Sequence, residues 1–157
     1  MQKTLSTSAD AEIILKLYEL RTEAGLREAR HWVMVKFWPA TVDEFNVVLD
    51  DFGSQENRWL RQAVSYWEMA AALVLHGAVS ADLFIDTNTE PFFILAKLAP
   101  ILPGIHERRP SYLSKTLQLV ETFAPAAACY EAMKIHTERI RASHSTEWLH
   151  ASSAARR

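Results

Sequence analysis

The sequence predicts an all-α domain, and three observations carry that prediction. Only four glycines occur in 157 residues, and none follows Asn or Asp, so the tight-hairpin signal is absent. Apolar residues recur at three- and four-residue intervals along most of the chain, which is the period of a half-buried helix. Capping residues and Gly or Pro stops bracket those periodic runs. The expected architecture is a compact array of six to eight helices around a long, buried central helix at about residues 55–76.

Each element has a local cause. Thr7 or Ser8 can cap a first helix, with Asp10 and Glu12 in its first turn. Negative charge there meets the positive end of the helix dipole. Ile13, Leu17, Leu20 and Ala24 follow at helical spacing, and Gly25 either interrupts the helix or is absorbed within it. Trp32 and Val35 continue the pattern to Trp38, where Pro39 stops it. Thr41-Val-Asp-Glu44 reads as a capping box for a helix holding Phe45, Val48 and Leu49, ending near Asp51 to Gly53.

The next element is the longest. Ser54 or Gln55 starts it and Gly77 is placed to end it. From Asn57 to His76 it would be about 30 Å long. Leu60, Val64, Trp67, Ala71 and Val74 form one stripe, and Trp59, Ala63, Tyr66, Ala70 and Leu73 form a second beside it. Its first half keeps a polar side through Arg61, Gln62, Ser65 and Glu68, whereas Met69 to Leu75 has none. A helix apolar all round belongs in a core, so this half is expected at the centre.

Ser80 caps a short helix, Ala81 to Ile85, and Thr89 caps the next, with Pro91 tolerated in its first turn. That helix carries Phe92, Phe93, Leu95 and Leu98, and Pro100 ends it. Ile101 to Pro110 reads as an irregular segment carrying His106, Glu107, Arg108 and Arg109. Ser111 opens a helix with Leu113, Leu117 and Val120. Pro125 separates it from, or kinks it into, the last helix, which holds Cys129, Met133, His136 and Ile140.

Composition bounds the organisation. The length fits one domain, expected over residues 1–142, with residues 143–157 a flexible or partner-docked tail. Hydrophobic residues at 49% and charged residues at 23% exclude a disordered or fibrous chain. A formal charge of −2 argues against a general electrostatic nucleic-acid binder. Met1 to Asp10 is polar, with no signal-peptide pattern. The best apolar run, Pro91 to Ile105, is broken by Lys97, Pro100, Pro103 and Gly104 and is too short to span a bilayer. The expectation is a cytoplasmic chain with no membrane insertion.

The chemical motifs are sparse. Glu28-Ala-Arg-His31 and Glu147-Trp-Leu-His150 match Glu-x-x-His, the pair that di-iron bundles use twice. The further inward Glu residues are not evident, and prolines break the long helices that such bundles need. Two exposed polar pairs are the plainer reading, and no metal or other cofactor is expected. No Gly-x-Ser-x-Gly elbow and no phosphate-binding glycine loop occur. Cys129, in Ala126-Ala-Ala-Cys-Tyr130, reads as a small apolar residue and not a nucleophile.

Glu68 stands out, directly after Trp67 where the long helix turns apolar. A partly buried carboxylate needs a cation or several donors. Pairing with Arg108 or Arg109 would pin the segment 101–110 to the core. The plain version is an architectural ion pair; the functional version is a small pocket lined by Trp67, Glu68, His106, Arg108 and Arg109. The aromatics divide similarly. Trp32, Phe37 and Trp38 lie beside Arg30, His31 and Lys36, a mixture that can stack bases, fill a core or centre a protein interface.

The pattern Tyr66-Trp67-Glu68, then Gly77, then Ser80-Ala-Asp-Leu-Phe84, resembles one in a family of bacterial helical domains of unknown function. The resemblance extends through Phe92 to Leu98, Ile101 to Arg109 and Leu117 to Glu121, so over residues 57–121. Its members often carry an N-terminal membrane segment, absent here, so a membrane role does not carry over. What the resemblance implies is a fold, and Glu68 and Arg108 or Arg109 as family features, with no reaction attached.

Together these readings favour a non-catalytic protein-interaction or regulatory module, with no catalytic residues assigned. Large apolar residues on several helix faces suggest a homodimer beside an unidentified protein partner. The alternative is a small-ligand binder, or an enzyme, with its pocket near Glu68, His106 and Arg109. A carboxylate–histidine metalloprotein is the remote third.

Overall fold

The computed structural model describes residues 5–154, with side chains described as far as His144. Among the described residues the chain forms nine α-helices and no strand. They are α1 (Ser8–Thr22), α2 (Ala24–His31), α3 (Val42–Asp50), α4 (Gln55–Leu75), α5 (Ala81–Thr87), α6 (Glu90–Leu98), α7 (Leu102–Arg108), α8 (Ser114–Thr122) and α9 (Ala124–Ala154). A π-helical turn, Trp32–Lys36, extends α2.

The caps form largely where local sequence places them. Thr7 and Asp10 make a reciprocal box: Thr7 Oγ1 accepts from Asp10 N at 3.2 Å, and Asp10 Oδ2 accepts from Thr7 N at 2.6 Å. Asp10 Oδ1 also accepts the Ser80 backbone N–H at 2.6 Å, tying the start of α1 to the cap of α5. These donors hold the Asp10 carboxyl below the usual carboxylate range. Ser54 and Ser80 cap α4 and α5 through Asn57 N and Leu83 N. Thr41 caps α3, while Glu44 reaches back one residue further than a closed box requires, to Ala40 N. At the end of α4, Gly77 sits at φ +71. Ala78 N donates to Leu73 O and Gly77 N to Val74 O, the paired bonds of a Schellman stop.

Gly25 does not break the first helix. The break lies at Glu23, whose carboxylate caps α2 by accepting from Gly25 N and Leu26 N at 3.0 and 3.2 Å. Three expectations need correction. Residues 102–108 are helical and not irregular: Pro103 falls in the first turn, where its missing N–H costs nothing. Thr89 makes no side-chain cap for α6. The helix assigned to Ser111 begins at Ser114, for a tertiary reason given below. The break at Glu23 and the helix at 102–108 account for a count above the expected six to eight.

The first stripe of α4 is buried throughout and the second except at Trp59 and Leu73, which are half-buried, and α4 packs against α2, α3, α5 and α8. Leu60, Ala63, Ala70 and Ala71 are fully buried. Its second half still reaches the surface at Met69, 44% exposed, so being apolar all round did not seal it. The most completely buried element is α6, from Pro91 through Leu98. It lies along α9, with α8 also in contact. By contrast α1 buries only Leu17 fully, and Leu20, expected in its stripe, is exposed. Asn57, fully buried, donates to Val48 O and Leu49 O, so it caps the end of α3 from the first turn of α4.

The boundary expected at residue 143 falls within α9. Most of the 143–157 segment lies outside the residues whose side chains are described. No helix among the described residues is long and apolar enough to cross a membrane.

Candidate functional site

The residues singled out by sequence do not converge on one pocket. Trp67, Glu68, Arg108 and Arg109 join separate elements, and His106 bonds the turn that follows α7. Glu68 does not pair with an arginine. Its Oε2 accepts Lys115 N at 2.9 Å, and its Oε1 accepts Thr116 N at 3.0 Å and Thr116 Oγ1 at 2.7 Å. The carboxylate therefore stands at the N-terminus of α8, where backbone N–H groups and the helix dipole both favour negative charge. This explains why α8 starts at Ser114. Its N-cap position is Leu113, left-handed at φ 56 and buried, with no side-chain oxygen to offer. Bonds from α4 replace the missing cap and hold the strained turn.

Trp67 turns the other way. Its Nε1 donates to Glu90 Oε1 at 3.0 Å. Glu90 is also gripped by Arg30, whose Nε and Nη2 donate to its two oxygens at 2.8 and 2.6 Å. Arg30 Nη1 donates to Arg21 O at 3.0 Å. The paired carboxylate raises the Arg30 pKa against the opposing effect of burial. This forked pair joins α2 to α6 and, through Trp67, to α4. It was not foreseen, because only the fold brings positions 30, 67 and 90 together.

Arg108 and Arg109 both meet Asp50 of α3. Arg108 Nη1 lies 3.2 Å from Oδ2, Arg109 Nη2 bonds Oδ1, and Arg109 Nη1 donates to Asn46 Oδ1 at 2.9 Å. His106 Nε2 donates to Tyr112 O at 2.9 Å. Of the expected residues only His106 bonds Tyr112, through its carbonyl, while the Glu68 charge raises and the Arg109 charge lowers the pKa of its phenol. Burial pushes that phenol well up, and its hydroxyl is buried without a hydrogen-bond partner among the described residues. Tyr112 also lines an open groove of about 580 Å³, with Arg58, Arg61, Gln62 and Ser65.

A buried cation lies elsewhere. Lys97, 1% exposed, donates from Nζ to Val33 O of the π-turn. Its ammonium lies 5.0, 5.8 and 6.0 Å from the rings of Trp38, Phe93 and Phe37. Desolvation pulls its pKa down to about 7, against the attraction of Glu90 and with the repulsion of Arg141. The signal was present in the sequence: Lys97 is the single charge in the apolar run 91–105.

The aromatic–basic cluster splits in two. Phe37 and Arg30 face inward, while Trp32 and Trp59 stay half-buried at the surface. Trp32 stacks on Phe37 at 4.8 Å and lies 5.9 Å from Trp59. Around these indoles, Arg27, Glu28, His31 and Lys36 complete a groove of about 660 Å³. Glu28 and His31 thus share one face, as Glu-x-x-His requires, but no group of three metal-ligating side chains occurs among the described residues. Glu147 and His150 lie outside the described side chains. Cys129 is half-buried and burial raises its thiol pKa, opposite to the shift that activates a nucleophile.

The family described as a domain of unknown function, DUF4760, matches residues 6–123, and the chain belongs to that family. The match covers α1 through α8 and stops where α9 begins. No curated protein and no solved structure matches the chain.

Proposed function

We propose that this DUF4760 chain is a non-catalytic protein-interaction module. One observation supports the reading above others. The Glu68 and Glu90 carboxylates and the Arg30 and Arg109 guanidiniums are spent in bonds between elements, while Arg27, His31 and Lys36, without a side-chain partner among the described residues, surround the half-buried indoles of Trp32 and Trp59. Aromatic side chains beside charged rims are what interface centres use.

The test combines native mass spectrometry with site-specific photo-cross-linking on the full chain. A photoreactive residue at position 36 should capture protein, while one at exposed position 86 should not. A bare chain mass accompanies that outcome. A retained small molecule or metal, or no capture at position 36, sinks the reading.

A second reading has one observation in its favour. The groove beside Tyr112 is lined by Arg58 and Arg61 with no acidic side chain, which suits a small anionic ligand. A persistent extra mass that Arg58→Gln with Arg61→Gln removes would favour it. The dimer expected from large apolar residues on several helix faces would find exposed Leu15 and Tyr18 on α1. A sedimentation run showing only monomer at micromolar concentration ends that proposal.

A further inference from the structure

We infer that the Trp32–Trp59 groove binds an acidic peptide segment with an apolar anchor. The inference rests on the interaction-module reading and names the partner's chemistry.

The groove is built on one helical face. Positions 27, 28, 31, 32 and 36 recur at three- and four-residue spacing along α2 and its π-turn, and Trp59 reaches in from α4. Arg27, His31 and Lys36 have no side-chain ion pair or hydrogen bond among the described residues. Against them stands one acid, Glu28. The rim is therefore net basic on a chain whose overall charge is −2. The local sign is opposite to the global sign, which favours an anionic partner for this groove.

The floor is apolar and already ordered. Trp32 is stacked on buried Phe37, with the planes 22° apart, so its ring loses little freedom on binding. The π-turn ends at Lys36 and begins at Trp32, so both its ends line the groove. Such turns recur at functional sites. An apolar side chain of the partner can lie on the two indoles while flanking carboxylates meet Arg27 and Lys36.

The same mixture could stack nucleobases. Nucleic acid is the weaker fit, because a phosphate backbone requires a basic track of several contacts. Here Arg27, His31 and Lys36 flank Glu28 within one groove.

The experiment is a selection of random peptides displayed on phage against the full chain, followed by anisotropy titration of the enriched peptides. Enriched sequences should carry an excess of Asp and Glu around an aromatic or aliphatic residue. Arg27→Glu with Lys36→Glu should weaken their binding by about tenfold or more, with unchanged melting temperature, because the rim charges are exposed. Trp59→Ala should weaken it as well, and added salt should reduce it. Enrichment of neutral or basic peptides, or indifference to the charge reversal, overturns the inference while leaving the module reading to the cross-linking test. Displacement of the peptides by oligothymidylate at lower concentration assigns the groove to nucleic acid and also overturns it. No enrichment at all overturns it too, and the position-36 cross-link then decides the module reading separately.

Discussion

The Glu68 carboxylate on α4 caps α8 through Thr116, taking its backbone N–H at 3.0 Å and its hydroxyl at 2.7 Å. A residue from a different helix does the work that an N-cap Ser or Thr normally does. Thr116 is fully buried, so water cannot replace the carboxylate. In Glu68→Gln one acceptor oxygen becomes an NH₂ group facing an N–H donor. The expected loss is about 1–2 kcal/mol. Amide exchange at Lys115 and Thr116 should rise more than elsewhere in α8. Unchanged protection at those two amides would show that the cap is dispensable.

Glu90 holds Arg30 and Trp67 together, at 12% side-chain exposure against 20% for Arg30. Removing one partner strands the other in a dry site. Glu90→Gln is expected to cost about 2–4 kcal/mol by urea unfolding. The double variant Arg30→Met with Glu90→Leu should be more stable than the sum of its single losses predicts. Additive losses would mean that the pair carries no coupling.

Lys97 makes stability depend on pH in a defined direction. Its ordinary value is 10.5 and the folded value is about 7. Below about 7 both folded and unfolded chains hold the proton, so the cost of burying the ammonium is fully present. Above that value the folded chain releases the proton first, and the cost fades as pH rises towards 10.5. Stability should therefore rise from neutral into mildly alkaline pH. Cys129, Tyr66 and Tyr112 have raised pKa values and act with the opposite sign at higher pH. The difference between wild type and Lys97→Met isolates the lysine. That variant keeps the volume, and its denaturation midpoint should lose the rise between neutral pH and about 8.5. A parallel slope in both proteins would contradict the assignment.

Gly104 of α7 lies against Val42 of α3. A Cβ at position 104 would fall 2.5 Å from Val42 Cγ2. Gly104→Ala gains helix propensity of up to about 1 kcal/mol but must displace a branched side chain. A net loss of about 1–2 kcal/mol is expected. In a Val42→Ala background the same change should become neutral or stabilising. A loss of equal size in both backgrounds would place the cause elsewhere.

Local interactions were legible in the sequence by itself. The all-α class, the caps at Thr7, Ser54 and Ser80, and the stop at Gly77 depend on residues a few positions apart. Their partners are therefore written next to them. Spacing also placed the buried stripes of α4. What the tertiary structure decided is where distant polar groups go. Glu68 was recognised as needing donors, but spacing could not distinguish the arginines of α7 from the bare N-terminus of α8. Nor could it start α8 at Ser114, since the cap arrives from 47 residues away. Lys97 became a buried cation only because the rings of Phe37, Trp38 and Phe93 and the carbonyl of Val33 close around it. A hydrogen bond within a turn is set by neighbours in sequence, whereas the partner of a desolvated charge is set by packing.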